Sequence, residues 1–73
     1  MERLTPEQML ERDYVKHGTV VFKEGQTFTG KVMMVPEGSW DEDDTPQIDI
    51  HTDEGLYIED LLSEVAYVLV LDD

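Results

Sequence analysis

The chain has no cysteine, so it can form neither a disulfide framework nor a thiolate metal site. It has no asparagine either, and no lysine or arginine beyond Lys31. Long apolar runs are also missing. The longest, "AYVLVL" at 66–71, falls far short of the roughly 20 residues that a membrane-spanning helix needs. The N-terminal stretch "MERLTPEQ" is charged and polar, without the apolar core of a signal peptide. The expectation is a cytoplasmic protein with no membrane contact. At 73 residues it is one domain, 1–73. A chain of this size buries only about 60% of its unfolded surface, which leaves little room for an active-site cleft.

Acidic residues are abundant and unevenly placed. Residues 1–31 hold five acids and five bases, whereas residues 32–73 hold thirteen acids and no lysine or arginine. The whole net charge of −13 therefore belongs to the second part of the chain. Such a surface repels nucleic-acid phosphates and anionic membranes and attracts basic proteins over a Debye length of about 8 Å. Direct nucleic-acid binding is disfavoured on that ground.

Punctuation and periodicity divide the chain into short elements. Thr5 is a candidate N-cap, Pro6 suits the first helical position, and Gln8 stands at capping-box spacing. These features predict a helix over about 6–16 with Met9, Leu10 and Tyr14 on its apolar face and Gly18 as its stop. From there the period becomes two. "TVVFKEGQTFTGKVMMV" predicts strands near 19–24 and 26–35 around a tight turn at Glu24-Gly25, with a bulge or bend at Gly30. Pro36 opens an acidic loop over 36–46. "QIDIHT" then predicts a strand at 47–52 with Ile48 and Ile50 inward and Asp49 and His51 outward. Further strands are expected at 56–60 and 66–71, separated by a single helical turn at "LLSEV". The fold class is mainly β: a small five-stranded barrel with an N-terminal helix.

This order of elements, with its glycines, resembles the Sm-like (LSm) small barrels, and more broadly SH3-like barrels. The residues that carry the resemblance are Val20, Phe22, Gly25, Gly30 and Val32, in register with the first Sm motif, and "GLYIEDLLSEVAYVLVL" at the end. The similarity covers about residues 5–71. Family members bind RNA through an Asp and an Asn after the bent strand and an Arg-Gly pair after the fourth strand. Here "MMVPEG" (33–38) fills the first region and Glu59-Asp60 the second. The resemblance thus implies the fold without its RNA-binding residues. It also implies pairing of strands between subunits, with Tyr67, Val68, Leu69, Val70 and Leu71 as the oligomer edge.

Three chemistries compete for the loop "EGSWDEDDTPQ" at 37–47: a metal site, a surface for a basic partner, or a solvated loop. An EF-hand register starting at Asp41 puts Asp43 at position 3 but Pro46 at position 6 and Thr52 at position 12, so calcium ligation fails by position. No cofactor is expected. His51 between Asp49 and Asp53 has no Ser or Cys in register, which leaves no nucleophile–base pair and no enzymatic activity. The acids themselves are the remaining candidate. Asp41, Glu42, Asp43 and Asp44, with Asp49, Asp53, Glu59 and Asp60, are expected to form one negative face anchored by Trp40. The expected function is a protein-interaction module for a basic, nucleic-acid-binding partner, an inhibitor or DNA mimic whose carboxylates stand in for phosphates. The alternative is a structural homo-oligomer whose charge only keeps it soluble or suits a high-salt cytoplasm.

Overall fold

The structure, a computed structural model, describes residues 2–35 and 46–72. It is mainly β: six antiparallel strands in one open sheet, with one short helix. The elements are β1 (Glu2–Leu4), α1 (Pro6–Arg12), β2 (Tyr14–Phe22), β3 (Thr27–Val35), β4 (Gln47–Thr52), β5 (Tyr57–Leu61), a 3₁₀ turn (Leu62–Glu64) and β6 (Val65–Asp72). The strand order is β1-β6-β2-β3-β4-β5, so β1 and β5 are its two edges. The five strands expected from the sequence are neighbours in that order, and β1 is an addition to them.

The helix is shorter than its sequence signals suggest. Thr5 and Gln8 form the capping box: the Thr5 hydroxyl accepts from the Gln8 amide at 3.1 Å, and the Gln8 side chain accepts from the Thr5 amide at 2.8 Å. The C-terminus, however, comes at Arg12 and not near Lys16. Asp13 adopts φ 75°, donates its amide to the Met9 carbonyl and accepts from the Met34 amide. That hydrogen bond ties the turn to β3, and the following residues join β3 as a strand instead of prolonging the helix. The expected strand at 19–24 accordingly begins at Tyr14.

Alternation decides what is buried. The core contains Val15, Val20 and Phe22 from β2, Val32 and Met34 from β3, Ile48 and Ile50 from β4, and Val65, Val68 and Val70 from β6. Met9 closes it from the helix, Leu4 from β1 and Leu62 from the 3₁₀ turn. A fully buried aliphatic side chain contributes about 1.5–3 kcal/mol, so this single inner face supplies most of the stabilisation. One sheet can enclose its own core only by bending strongly. The bend is placed where β2 carries a register shift between Val15 and Gly18, opposite Gly30 of β3. A Cβ on Gly30 would run into the backbone carbonyl of His51 on β4, and one on Gly18 would lie 2.8 Å from the Leu69 carbonyl oxygen. The expected bend at Gly30 is thus a close approach of three backbones.

The strand "AYVLVL" sits differently from a free edge. β6 pairs with β2 on one side, and on the other β1 pairs with it through Glu2↔Val70, Arg3↔Leu69 and Leu4↔Val68. The guanidinium of Arg3 lies 3.9 Å over the Tyr67 ring, and Arg12 bonds Glu2 at 3.0 Å. The backbone of residues 68–70, expected to serve as an oligomer edge, is therefore occupied within the chain. Val68 and Val70 face the core, Tyr67 and Leu69 are half-buried outside, and Leu71 is exposed. Of the helix residues Met9 is buried in the core and Leu10 is exposed, while Tyr14 belongs to β2 and is exposed as well. Among the described residues no helix is long and apolar enough to cross a membrane.

Candidate functional site

The acids expected to form one face are distributed by strand geometry over different surfaces. Trp40, Asp41, Glu42, Asp43 and Asp44 lie outside the described residues. Asp53 belongs to the β4–β5 turn, where its carboxylate meets His17 Nε2 at 2.9 Å and its amide donates to the Thr29 carbonyl. Glu59 and Asp60 are successive residues of β5 and so point to opposite faces. Asp60 shares the side of Ile58 and turns an oxygen back to the Leu61 amide at 2.7 Å.

What the sheet does bring together is a patch on the outer face of β3, β4 and β5. Register aligns Tyr14, Met33, Asp49 and Glu59 in one row across β2 to β5, and Lys31, His51 and Tyr57 in the next. Tyr14, Met33 and Tyr57 are unusually exposed for their size, at 45%, 39% and 52%. Asp49 departs from expectation. It points outward, as the alternation in "QIDIHT" requires, yet it is only 7% exposed.

Its surroundings explain what keeps it there. The Tyr57 hydroxyl donates to Asp49 Oδ2 at 3.0 Å and also lies 3.3 Å from Glu59 Oε2. The His51 ring meets the Tyr57 ring edge to face, with centroids 4.7 Å apart, which fixes the phenol over the strand. The second Asp49 oxygen, Oδ1, is buried and has no hydrogen-bond partner among the described residues. An unsatisfied buried acceptor costs about 1–3 kcal/mol and more when charged. The same pair of carboxylates pushes the Tyr57 phenol up to about 12 from its ordinary value of 10.0. The hydrogen bond to Asp49 is the main cause, followed by desolvation and the two negative charges, since an ionised phenol would be a third anion in contact.

Other constellations are poorer. Among the described residues no group of three or more His, Asp or Glu side chains is placed to hold a metal ion. A groove of about 330 Å³ between α1 and the 3₁₀ turn is lined mainly by apolar groups, including Pro6, Leu10, Leu62 and Val65. A second hollow, about 400 Å³, lies among Thr27, Thr29, Thr52 and Asp53. Tyr57 and Met33, central to the outer patch, were not among the site residues read from the sequence. A signal was available for Tyr57: in "LYIED" it stands two before Glu59, on the same face of a strand. No family model matches the chain, and no curated protein or solved structure was found to match it.

Proposed function

We propose that the chain is a non-enzymatic, acidic protein-interaction module that binds a basic, nucleic-acid-binding protein and competes there with nucleic acid. The observation that carries this reading is the composition of the segment from β4 through β5. It holds Asp49, Asp53, Glu54, Glu59 and Asp60 and no lysine or arginine. Carboxylates in such density generate a potential of the sign and range of a phosphate backbone, which steers basic partners to it. The module is a small barrel of Sm-like or SH3-like type. Supporting that assignment are the strand order β6-β2-β3-β4-β5, the Gly18–Gly30 contact and the 3₁₀ turn before the last strand. RNA binding is no part of the proposal, because Glu59-Asp60 stands where the resembled family carries Arg-Gly. Assembly through β6 is a weaker reading, since β1 would first have to leave it.

The test is capture on the immobilised chain from a cell lysate at low and high salt, followed by elution with duplex DNA. The expected result is recovery at low salt of basic DNA- or RNA-binding proteins that the duplex displaces, with no binding of duplex to the chain itself. Recovery of no such protein at low salt would overturn the proposal.

A further inference from the structure

Asp49 is a carboxylate that is more than nine-tenths buried, points to the outer face, and has one oxygen without a donor among the described residues. Around it stand an exposed carboxylate directly across in register, Glu59, and two aromatic rings, Tyr57 and His51. Beyond it in the same row lie the exposed apolar side chains of Met33 and Tyr14. We propose that this patch is the seat for one arginine side chain of the basic protein partner. The Asp49 and Glu59 carboxylates hold its guanidinium, and the Tyr57 ring stacks against it. The inference rests on the reading of the chain as a binder of basic proteins and names the group that reading requires.

The chemistry selects arginine over other cations. In the free chain one phenolic proton lies between two carboxylates, donating at 3.0 Å to Asp49 and only 3.3 Å from Glu59. A single proton cannot satisfy both. A guanidinium carries five N–H donors in a planar fork, so it can bond both anions at once. Its plane also stacks on an aromatic ring, and it is more weakly hydrated than an ammonium, which lowers the cost of seating it beside a buried acid. The methylene stem then lies along Met33 and Tyr14. A hard divalent cation suits the patch less well, because it wants six or more oxygen ligands and no three metal-ligating side chains converge among the described residues. Lys31, opposite His51 on this face, makes no direct ion pair with Asp49 or Glu59. The raised pKa of Tyr57 comes first from its hydrogen bond to Asp49, and the charges of Asp49 and Glu59 add to it.

The experiment uses the full chain, isotope-labelled, titrated by NMR with an oligo-arginine and an oligo-lysine peptide of equal length. It is repeated for Glu59→Gln, Asp49→Asn and Asp60→Asn. Residues 59 and 60 are neighbours on one edge strand facing opposite sides, so the pair removes equal charge and differs only in the face affected. The expected result is binding of the arginine peptide about tenfold tighter than the lysine peptide, with shifts centred on Asp49, Tyr57 and Glu59. Glu59→Gln and Asp49→Asn should each weaken it by about tenfold, and Asp60→Asn by less than about twofold. If Asp49→Asn loses its dispersed spectrum, Glu59→Gln against Asp60→Asn alone decides. Equal affinity for both peptides, or equal loss in the two β5 variants, overturns the arginine seat and leaves the basic-partner reading standing. Binding of neither peptide at low salt overturns both.

Discussion

At the scale of residues, the outer patch turns on how Tyr57 shares its proton. Folding raises its pKa, so the folded chain holds that proton more tightly than the unfolded chain. The resulting stabilisation is complete below about pH 10 and is lost as pH rises towards about 12. An ultraviolet titration should show a tyrosinate step near pH 12 that disappears in Tyr57→Phe. The same substitution removes the Tyr57 hydroxyl that donates to the buried Asp49 carboxylate, and chemical denaturation at neutral pH should register a loss of stability. Gly30 makes a separate prediction. A methyl group there enters the His51 carbonyl, which is backbone and cannot swing aside, so Gly30→Ala should cost about 3 kcal/mol or more. Gly25→Ala, in open space at φ 99°, should cost only about 1–2 kcal/mol, and thermal melts of the two variants compare them directly. The bend at Gly30 was readable from a glycine inside a strand pattern. The burial of Asp49 was not, because it depends on which residue of β5 lies across from it, and register is a property of two segments together.

At the scale of elements, β1 is the piece least legible in its own residues. Three residues, "ERL", show no periodicity and gain their extended form only by pairing with β6. Their role follows from what they cover. Without them the backbone of Val68, Leu69 and Val70 would present unpaired N–H and C=O groups along an apolar strand, a template for another copy. The intact chain is therefore expected to run as a monomer in size-exclusion chromatography with light scattering. A variant lacking residues 1–4 is expected to self-associate with rising concentration. A monomeric deletion variant would mean that β6 is protected by something other than β1. The helix tells the complementary story: its capping box was plain in Thr5, Pro6 and Gln8, while its end was not. Asp13 offers only a weak local stop, as a poor helix former of a type that tolerates a positive φ. Termination there comes from a tertiary hydrogen bond to Met34, which local reasoning cannot see. The sequence-encoded end is the testable one, and Thr5→Ala should lower stability by about 1 kcal/mol.

At the scale of the whole molecule, charge was the most legible property, since counting alone puts all −13 beyond Lys31. Its distribution over surfaces was not, because alternation along β5 sends Glu59 and Asp60 apart and the hairpin turn pairs Asp53 with His17. The sum still matters for stability. Folding brings these acids close together in a molecule with a radius of gyration of 11.1 Å, whereas the unfolded chain spreads them over a much larger volume. Compactness is therefore opposed by self-repulsion, and added salt should relieve the folded state more than the unfolded one. The melting temperature by circular dichroism is expected to rise from low to physiological salt. For a domain of this size, relief of about 1 kcal/mol corresponds to about 4–8 °C. Screening depends on ionic strength and not on ion identity, so sodium, potassium and magnesium chlorides should give coincident curves at matched ionic strength. A rise produced by magnesium alone would instead signal specific cation binding. A melting temperature indifferent to salt would show that the acids lie too far apart to repel one another. In that case the negative field proposed to attract a basic partner would be weaker than its formal charge implies.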